Sequence, residues 1–340
     1  MVETRTERTT QTTLHFIEST DRAQTWPNPF IYEFPLAHAN GVMEIMNDER
    51  AFMISTQFTR SHEEGQVPLP ETENYESKFP DGRLMGAYRN YRIRTSMWIT
   101  FSADKGRTWT EPYHVDHSPM QGAWTWPGSS PFQLAGGTIV IPIAGYLSMD
   151  DLDGIWLSSG VLRSTDNAKT WHFVPVGSAD RNEGLIFSEP TMDLLQDNHL
   201  LIMMRTECRV LEKDPRYEDL YGLYHSISAD GGKTWTSPFR AMEGTHCSIV
   251  QLGDGNILCG HHLATRRDGK VLSVADPVRF SLSADAGRTW STPRPWFTGR
   301  ENLAGWYTNV EYVDENTAVA MIRDSPQNNR LWACRLLRKR

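Results

Sequence analysis

Cysteine is scarce. The 340-residue chain holds four, Cys208, Cys247, Cys259 and Cys334, and no spacing among them is that of a zinc site. They read as buried thiols, Cys247 and Cys259 inside expected strands. No long run of Lys and Arg occurs apart from Arg338, Lys339 and Arg340, and the formal charge is −8, which argues against a nucleic-acid partner. No apolar stretch approaches the length of a membrane span. The first residues are polar and lack the apolar core of a secretory leader. The expectation is therefore no membrane partner and a cytoplasmic location, or secretion if a leader has been removed. No motif asks for a cofactor, and structural calcium is left open.

What the chain does contain is enough apolar material for a substantial core, with 39% hydrophobic and 22% charged residues. Its 12 Trp and 11 Tyr are core filler in most β proteins, although aromatic rings also stack on sugars. The organising feature is a repeat. Three copies are Ser102-Ala-Asp-Lys-Gly-Arg-Thr-Trp109, Ser228-Ala-Asp-Gly-Gly-Lys-Thr-Trp235 and Ser283-Ala-Asp-Ala-Gly-Arg-Thr-Trp290. Two more, at Ser164 to Trp171 and Ser19 to Trp26, carry Ala at the Gly position. In each, Asp can accept hydrogen bonds from nearby backbone N–H groups. Gly permits the left-handed conformation of a tight turn, and Trp tucks beneath it. Alternating strands such as residues 97–101 and 279–283 precede the boxes. The boxes therefore join strands and staple the fold without doing chemistry.

Ahead of each box lies an apolar strand, a polar turn and a second apolar strand: 41–45 to 51–55, 131–134 to 138–143, 190–195 to 200–204, 248–252 to 257–260, and 308–312 to 317–322. Two such strands, a third ending in the box and a fourth after its Trp make one four-stranded blade. Box-to-box intervals of 55 to 83 residues leave room for one blade each. The expected fold is an all-β propeller of five blades, with six as the alternative, in a single domain over residues 1–340. The strand near residues 12–18 would complete the blade that the C-terminus begins, removing the sheet edges. Residues 61–90, polar and with Pro68, Pro70, Pro80 and Gly82, read as a long loop over one face.

These boxes resemble the Asp-boxes (BNR repeats) of sialidases, and the likeness spans nearly the whole chain. Sialidases use a Tyr nucleophile activated by a Glu, an Asp acid/base on a loop, and three Arg that clamp the substrate carboxylate. The segment 187–205, which begins Phe-Ser-Glu-Pro and ends Met-Met-Arg, is similar to the stretch supplying that Glu and one Arg. The resemblance therefore points to Glu189 and Arg205. Segment 305–312, Gly-Trp-Tyr-Thr-Asn-Val-Glu-Tyr, is similar to the stretch bearing the nucleophile, which points to Tyr307. Arg279 stands in place for a third Arg, with Arg266 and Arg267 as competitors. The Arg-Ile-Pro motif that opens the sialidase domain is missing. The acid/base Asp has no counterpart, although Arg60, Glu63 and Glu64 lie in a comparable loop.

The repeat itself also locates a site. Blade positions that share a structural role but carry unlike polar residues are candidates for function. The starts of the first strands carry His38 and Asn40, Trp126, Glu189, His246 and Tyr307; the ends of the second carry Gln57, Tyr146, Arg205, His262 and Arg323. Both sets should face one mouth of the ring. Charged side chains there are poor core filler. A Tyr hydroxyl is a weak nucleophile until a carboxylate takes its proton. A neutral phenol also avoids the repulsion between an anionic nucleophile and a substrate carboxylate. The expected activity is that of an exo-acting glycoside hydrolase cleaving a terminal acidic sugar. In it Tyr307 attacks, Glu189 is the base, and Arg205 with Arg279 or Arg323 binds the acidic group. Glu63, Glu64 or a His protonates the leaving oxygen. The partner is a carbohydrate. Two alternatives stand beside it: a non-catalytic carbohydrate-binding propeller, and a lyase acting on a uronic-acid polymer.

Overall fold

The computed structural model describes residues 2–4, 12–27, 29–34, 39–61, 77–78, 84–85, 92–125, 130–148, 151, 156–208, 220–263, 266–267, 270–271, 278–295, 308–315, 317–323 and 331–337, some strand positions by their backbone alone. The chain is all-β and its sheets form a propeller arrangement. An N-terminal sheet comes first: β1 (Val2–Thr4), β2 (Thr12–Phe16) and β3 (Phe30–Phe34). Four blades follow. The first opens with β4 (Ala39–Ile45) and β5 (Ala51–Ser61). A two-residue ladder, β6 (Ser77–Lys78) with β7 (Leu84–Met85), falls inside the stretch expected to be loop. The strands β8 (Arg92–Ser102) and β9 (Tyr113–Val115) complete that blade.

In the second blade β10 (Gly122–Trp124) and β11 (Phe132–Gln133) both pair with β12 (Ile139–Tyr146), followed by β13 (Ser158–Ser164) and β14 (His172–Gly177). The third is β15 (Leu185–Leu194), β16 (Leu200–Cys208), β17 (Gly222–Ser228) and β18 (Phe239–Met242). The fourth starts with β19 (Thr245–Gln251) and β20 (Ile257–His262). A short ladder of β21 (Arg266–Arg267) and β22 (Lys270–Val271) precedes its outer strands β23 (Arg279–Ser283) and β24 (Arg294–Pro295). A C-terminal sheet of β25 (Thr308–Asp314), β26 (Thr317–Arg323) and β27 (Leu331–Leu337) closes the chain. Among the described strands no pairing joins the two terminal sheets: β2 pairs with β1 and β3, and β26 with β25 and β27. No described helix is long and apolar enough to cross a membrane.

The boxes form as their chemistry requires. In the third blade Ser228 Oγ donates to Asp230 Oδ1 at 2.9 Å, and Oδ1 also accepts from the N–H groups of Lys233 and Thr234 at 3.0 and 2.9 Å. Thr234 Oγ1 donates to Oδ2 at 2.7 Å, and Trp235 Nε1 donates to Gly232 O at 3.3 Å. Hydrogen bonds of this kind, led by the Thr108 and Thr289 hydroxyls, hold the carboxyls of Asp104 and Asp285 down at about 2. The turns need two successive left-handed residues. Gly231 and Gly232 supply them at φ 71° and 80°, and in the second blade Asn167 and Ala168 take φ 60° and 67° despite their Cβ atoms.

Blades clasp one another through equivalent groups. The turn after β4 is held by Gln133 Oε1 of the next blade, accepting from Asn47 N at 2.8 Å. The turn after β15 is held in the same way by Gln251 Oε1, accepting from Gln196 N at 2.6 Å. Between them lie apolar layers: Ile54, Ile99 and Ile141 between the first two blades, Val140, Ile202 and Met204 between the next two, and Leu201, Ile249 and Cys259 beyond. First strands of neighbouring blades pack together, β15 on β19 and β19 on β25. Side chains that open these strands are thereby gathered from distant parts of the sequence.

Candidate functional site

Glu189 and His246 occupy the same place in adjacent blades. The ladder of β15 with β16 skips after Ser188 and resumes at Thr191; that of β19 with β20 skips after Thr245 and resumes at Ser248. Each skip is a β-bulge, a device that re-aims a side chain. Glu189 and His246 both sit in it at φ 47°, a left-handed conformation that costs a non-Gly residue on the order of 1–3 kcal/mol. The partners match as well: Ser188 faces Arg205 and Thr245 faces His262. Arg205 and His262 thus stand at one position of the two blades.

These four side chains converge. Arg205 Nη1 donates to Glu189 Oε1 at 2.9 Å, and His246 Nε2 lies 3.3 Å from Glu189 Oε2. The same His246 nitrogen is 3.2 Å from Arg205 Nη1, and His246 Nδ1 is 3.1 Å from Thr245 Oγ1. The His262 ring meets His246 edge-on, with centroids 6.1 Å apart. Glu189 is only 7% exposed. Burial works against its charge, but the Arg205 guanidinium and His246 outweigh that cost and hold the carboxyl below its ordinary value. The result is a desolvated carboxylate kept ionised beside a fixed cation at the mouth of the blades. Such a group can accept a proton or steady positive charge developing on a substrate.

Other expected residues fall differently. Arg279 opens β23 opposite His261, and its buried Nε has no hydrogen-bond partner among the described residues. His261 is fully buried and lies 3.1 Å through Nε2 from Ser281 Oγ; burial pushes it down to about 4, so it is a neutral strut. Trp124 and Tyr146 meet edge to face at 5.4 Å in one apolar cluster with Ile186, close along β15 to Glu189. Asn40, Arg60 and Arg323 are strand positions facing Thr56, Ile93 and Leu331, described by backbone alone. His38, Glu63, Glu64, Trp126 and Tyr307 lie outside the described residues. Among the described residues no group of three or more His, Cys, Asp or Glu is arranged to hold a metal ion.

Sequence reasoning missed two features. Thr245 touches the site residue that follows it, a neighbour visible in the sequence. Glu44, Asp193 and Glu311, from the first strands of three sheets, line a cavity of about 170 Å³ with Ser130, Phe132 and Val250. Burial, then mutual repulsion, raises Glu311 to about 7. Burial raises Asp193 to about 6, with Glu44 adding to it, against hydrogen bonds from the N–H groups of Gln251 and Leu194. Burial raises Glu44 too. The signal was a carboxylate at a common register position, near the far ends of β4, β15 and β25.

Residues 83–238 match a family model described as a BNR repeat-like domain. No curated protein matches the chain. Among solved structures, a protein of unknown function from Dyadobacter fermentans aligns with TM-score 0.66 at 18% identity, over 96% of this chain and 84% of that one. The intramolecular trans-sialidase of Ruminococcus gnavus, solved with oseltamivir carboxylate, aligns with TM-score 0.59 at 14% identity, over 95% and 87%. A Trypanosoma rangeli sialidase aligns with TM-score 0.58 at 14% identity, over 96% of this chain and 49% of that larger one. At these identities the likeness is one of fold. With its self-bonded Asp-boxes and this architecture, the chain is a β-propeller that contains a stretch similar to a BNR repeat-like domain and shares its fold with sialidases.

Proposed function

We propose that this protein is an exo-acting glycoside hydrolase that removes a terminal acidic sugar from a carbohydrate at the mouth holding Glu189. The observation that carries this reading is the buried network of Glu189, Arg205 and His246, built at strained, equivalent positions of two blades. An ionised Glu189 can take the proton of a Tyr hydroxyl, the role assigned to Tyr307. Arg205, with Arg279 or Arg323, holds the acidic group of the sugar; the uncommitted Nε of Arg279 favours a ligand anion there. Glu63 or Glu64 serves as proton donor to the leaving oxygen. His38, Asn40, Arg60, Trp126 and His262 line the mouth.

The same proposal treats residues 1–340 as one domain, with the terminal sheets as further blades of a ring of six. An ion pair supports this closure, with Arg22 Nη1 of the first box 3.5 Å from Asp314 Oδ2 at the end of β25.

The test is a screen of aryl glycosides carrying sialic acid, uronic acids and neutral sugars, with Tyr307→Phe alongside. The reading expects release from an acidic glycoside, lost in the Phe variant while the fold is kept. Turnover of neutral sugars alone would contradict the acidic substrate. Undiminished turnover by the Phe variant would remove Tyr307. A product absorbing near ~235 nm, as unsaturated uronates do, would mark proton abstraction and a lyase instead. Binding without turnover would mark a carbohydrate-binding propeller.

A further inference from the structure

Arg205 Nη1 carries two hydrogens, and acceptors on two blades stand ready for them. Glu189 Oε1 accepts at 2.9 Å, across the hairpin of β15 and β16. His246 Nε2 lies 3.2 Å away, on β19 of the next blade. A guanidinium can only donate, so Nε2 is the acceptor of that bond. An imidazole that accepts at Nε2 carries its hydrogen on Nδ1. That hydrogen has a partner, Thr245 Oγ1 at 3.1 Å. The chain of donors thus runs in one sense, from His246 Nδ1 to Thr245 and from Arg205 to His246 Nε2. Thr245 and His246 are both buried, where an unmade hydrogen bond costs the full desolvation of its group. The His262 ring, edge-on at 6.1 Å, limits rotation of His246. Glu189 Oε2 stays outside this chain, buried and with no hydrogen-bond partner among the described residues.

We propose that His246 is a positioning residue for Arg205: held as its Nδ1–H tautomer by the Thr245 hydroxyl, it accepts from Nη1 and fixes the plane of the guanidinium. Glu189 alone would hold Nη1 at one point, about which the guanidinium can pivot. A second acceptor, on a different blade, stops that motion. The orientation matters because a guanidinium grips a carboxylate through a flat fork, and its plane sets where the fork points. The bulges argue for purpose, since both acceptors, Glu189 and His246, take φ 47° to reach the same guanidinium nitrogen. Oε2 is left as the Glu189 oxygen whose accepting capacity is unspent. This deepens the hydrolase reading, and only the effect on binding an acidic sugar rests on that reading; the tautomer and the hold on Arg205 do not.

The test starts with the wild-type protein, labelled with ¹⁵N at histidine and arginine, near neutral pH. Long-range proton–nitrogen spectra should show His246 with a protonated Nδ1 and a bare Nε2; a hydrogen on Nε2 overturns the proposal. The two Nη nitrogens of Arg205 should give separate signals, because rotation about the Nε–Cζ bond is stopped, and one averaged signal overturns it as well. His246→Phe keeps a flat ring without an acceptor and should merge the two signals. His246→Gln, which returns an acceptor oxygen near the place of Nε2, should separate them again. Signals that stay separate in the folded Phe variant overturn the proposal; should that variant not fold, the wild-type spectra decide. With a turned-over acidic glycoside in hand, KM of the Phe variant should rise about 10-fold while kcat changes less, and the Gln variant should recover most of the loss. An unchanged KM in the Phe variant overturns the role toward the sugar. Should no glycoside be cleaved, the hydrolase reading fails while the spectra still decide the hold of His246 on Arg205.

Discussion

Raising the pH from about 4.5 to about 8 should remove what the protonated Asp193 contributes to the stability of this protein. The residue is 8% exposed, and its carboxyl accepts backbone hydrogen bonds from Leu194 N, at 2.9 Å, and Gln251 N. Burial still dominates, and Glu44 across the cavity adds to it, so the value moves from 3.8 to about 6. A carboxyl whose folded value is raised binds its proton more tightly folded than unfolded. Its stabilisation is full below the unfolded value of 3.8 and is lost as the pH climbs through about 6. At ~1.4 kcal/mol per pH unit of separation the whole loss is about 3 kcal/mol, of which about 2 kcal/mol falls between pH 4.5 and pH 8; His261, held down at about 4, works in the opposite direction over the same range. Glu311 adds in the same direction up to about 7, lessened because it is open to water in the cavity. The Asp-boxes act in a separate window: Asp104 and Asp285, held down at about 2, lose their contribution only in acid below the ordinary 3.8. Urea unfolding followed by Trp fluorescence at the two pH values measures the difference. The stability difference between wild type and Asp193→Asn cancels His261 and should move by about 2 kcal/mol in favour of the variant at the higher pH. The variant also carries a constant cost of about 1 kcal/mol, because Asn offers only one acceptor to the two N–H groups. A difference between the two proteins that is the same at both pH values would refute the reasoning.

Two further outcomes follow from the same geometry. Asp230→Ala removes the acceptor of four hydrogen bonds in one box and should lower Tm by about 3–6 °C in a thermal melt; an unchanged Tm would deny the boxes their stapling role. Arg205→Met leaves Glu189 buried without its cation. It should cost about 3 kcal/mol at neutral pH and less in acid, where Glu189 can protonate, and a loss independent of pH in urea melts would count against the ion pair.

The propeller was legible because each blade announces itself locally. An Asp-box satisfies its own backbone within eight residues, so Ser228 to Trp235 needs no distant partner to be recognised. Glu189 and Arg205 were legible for a related reason: they lie within one hairpin, and the ladder of β15 with β16 brings them together. The contact of His246 with Glu189 was not, because it depends on how two blades are packed and on a bulge that turns both residues inward. The acidic cavity was hidden in the same way, since Glu44, Asp193 and Glu311 are far apart in sequence and meet only across packed sheets. Blade number is the hardest property to read. A terminal strand can join either end of the chain, and β2 pairs with β1 and β3 where the sequence pointed to the C-terminal blade.

Everything functional in this account passes through the Glu189 carboxylate. The direct measurement is kcat/KM of Glu189→Gln against wild type on whichever acidic aryl glycoside is released fastest, with Tm recorded for both. A fall of at least about 100-fold, with Tm held within a few degrees, is predicted. Near-normal kcat/KM in the folded Gln variant would contradict the claim that this mouth is where the sugar is cleaved.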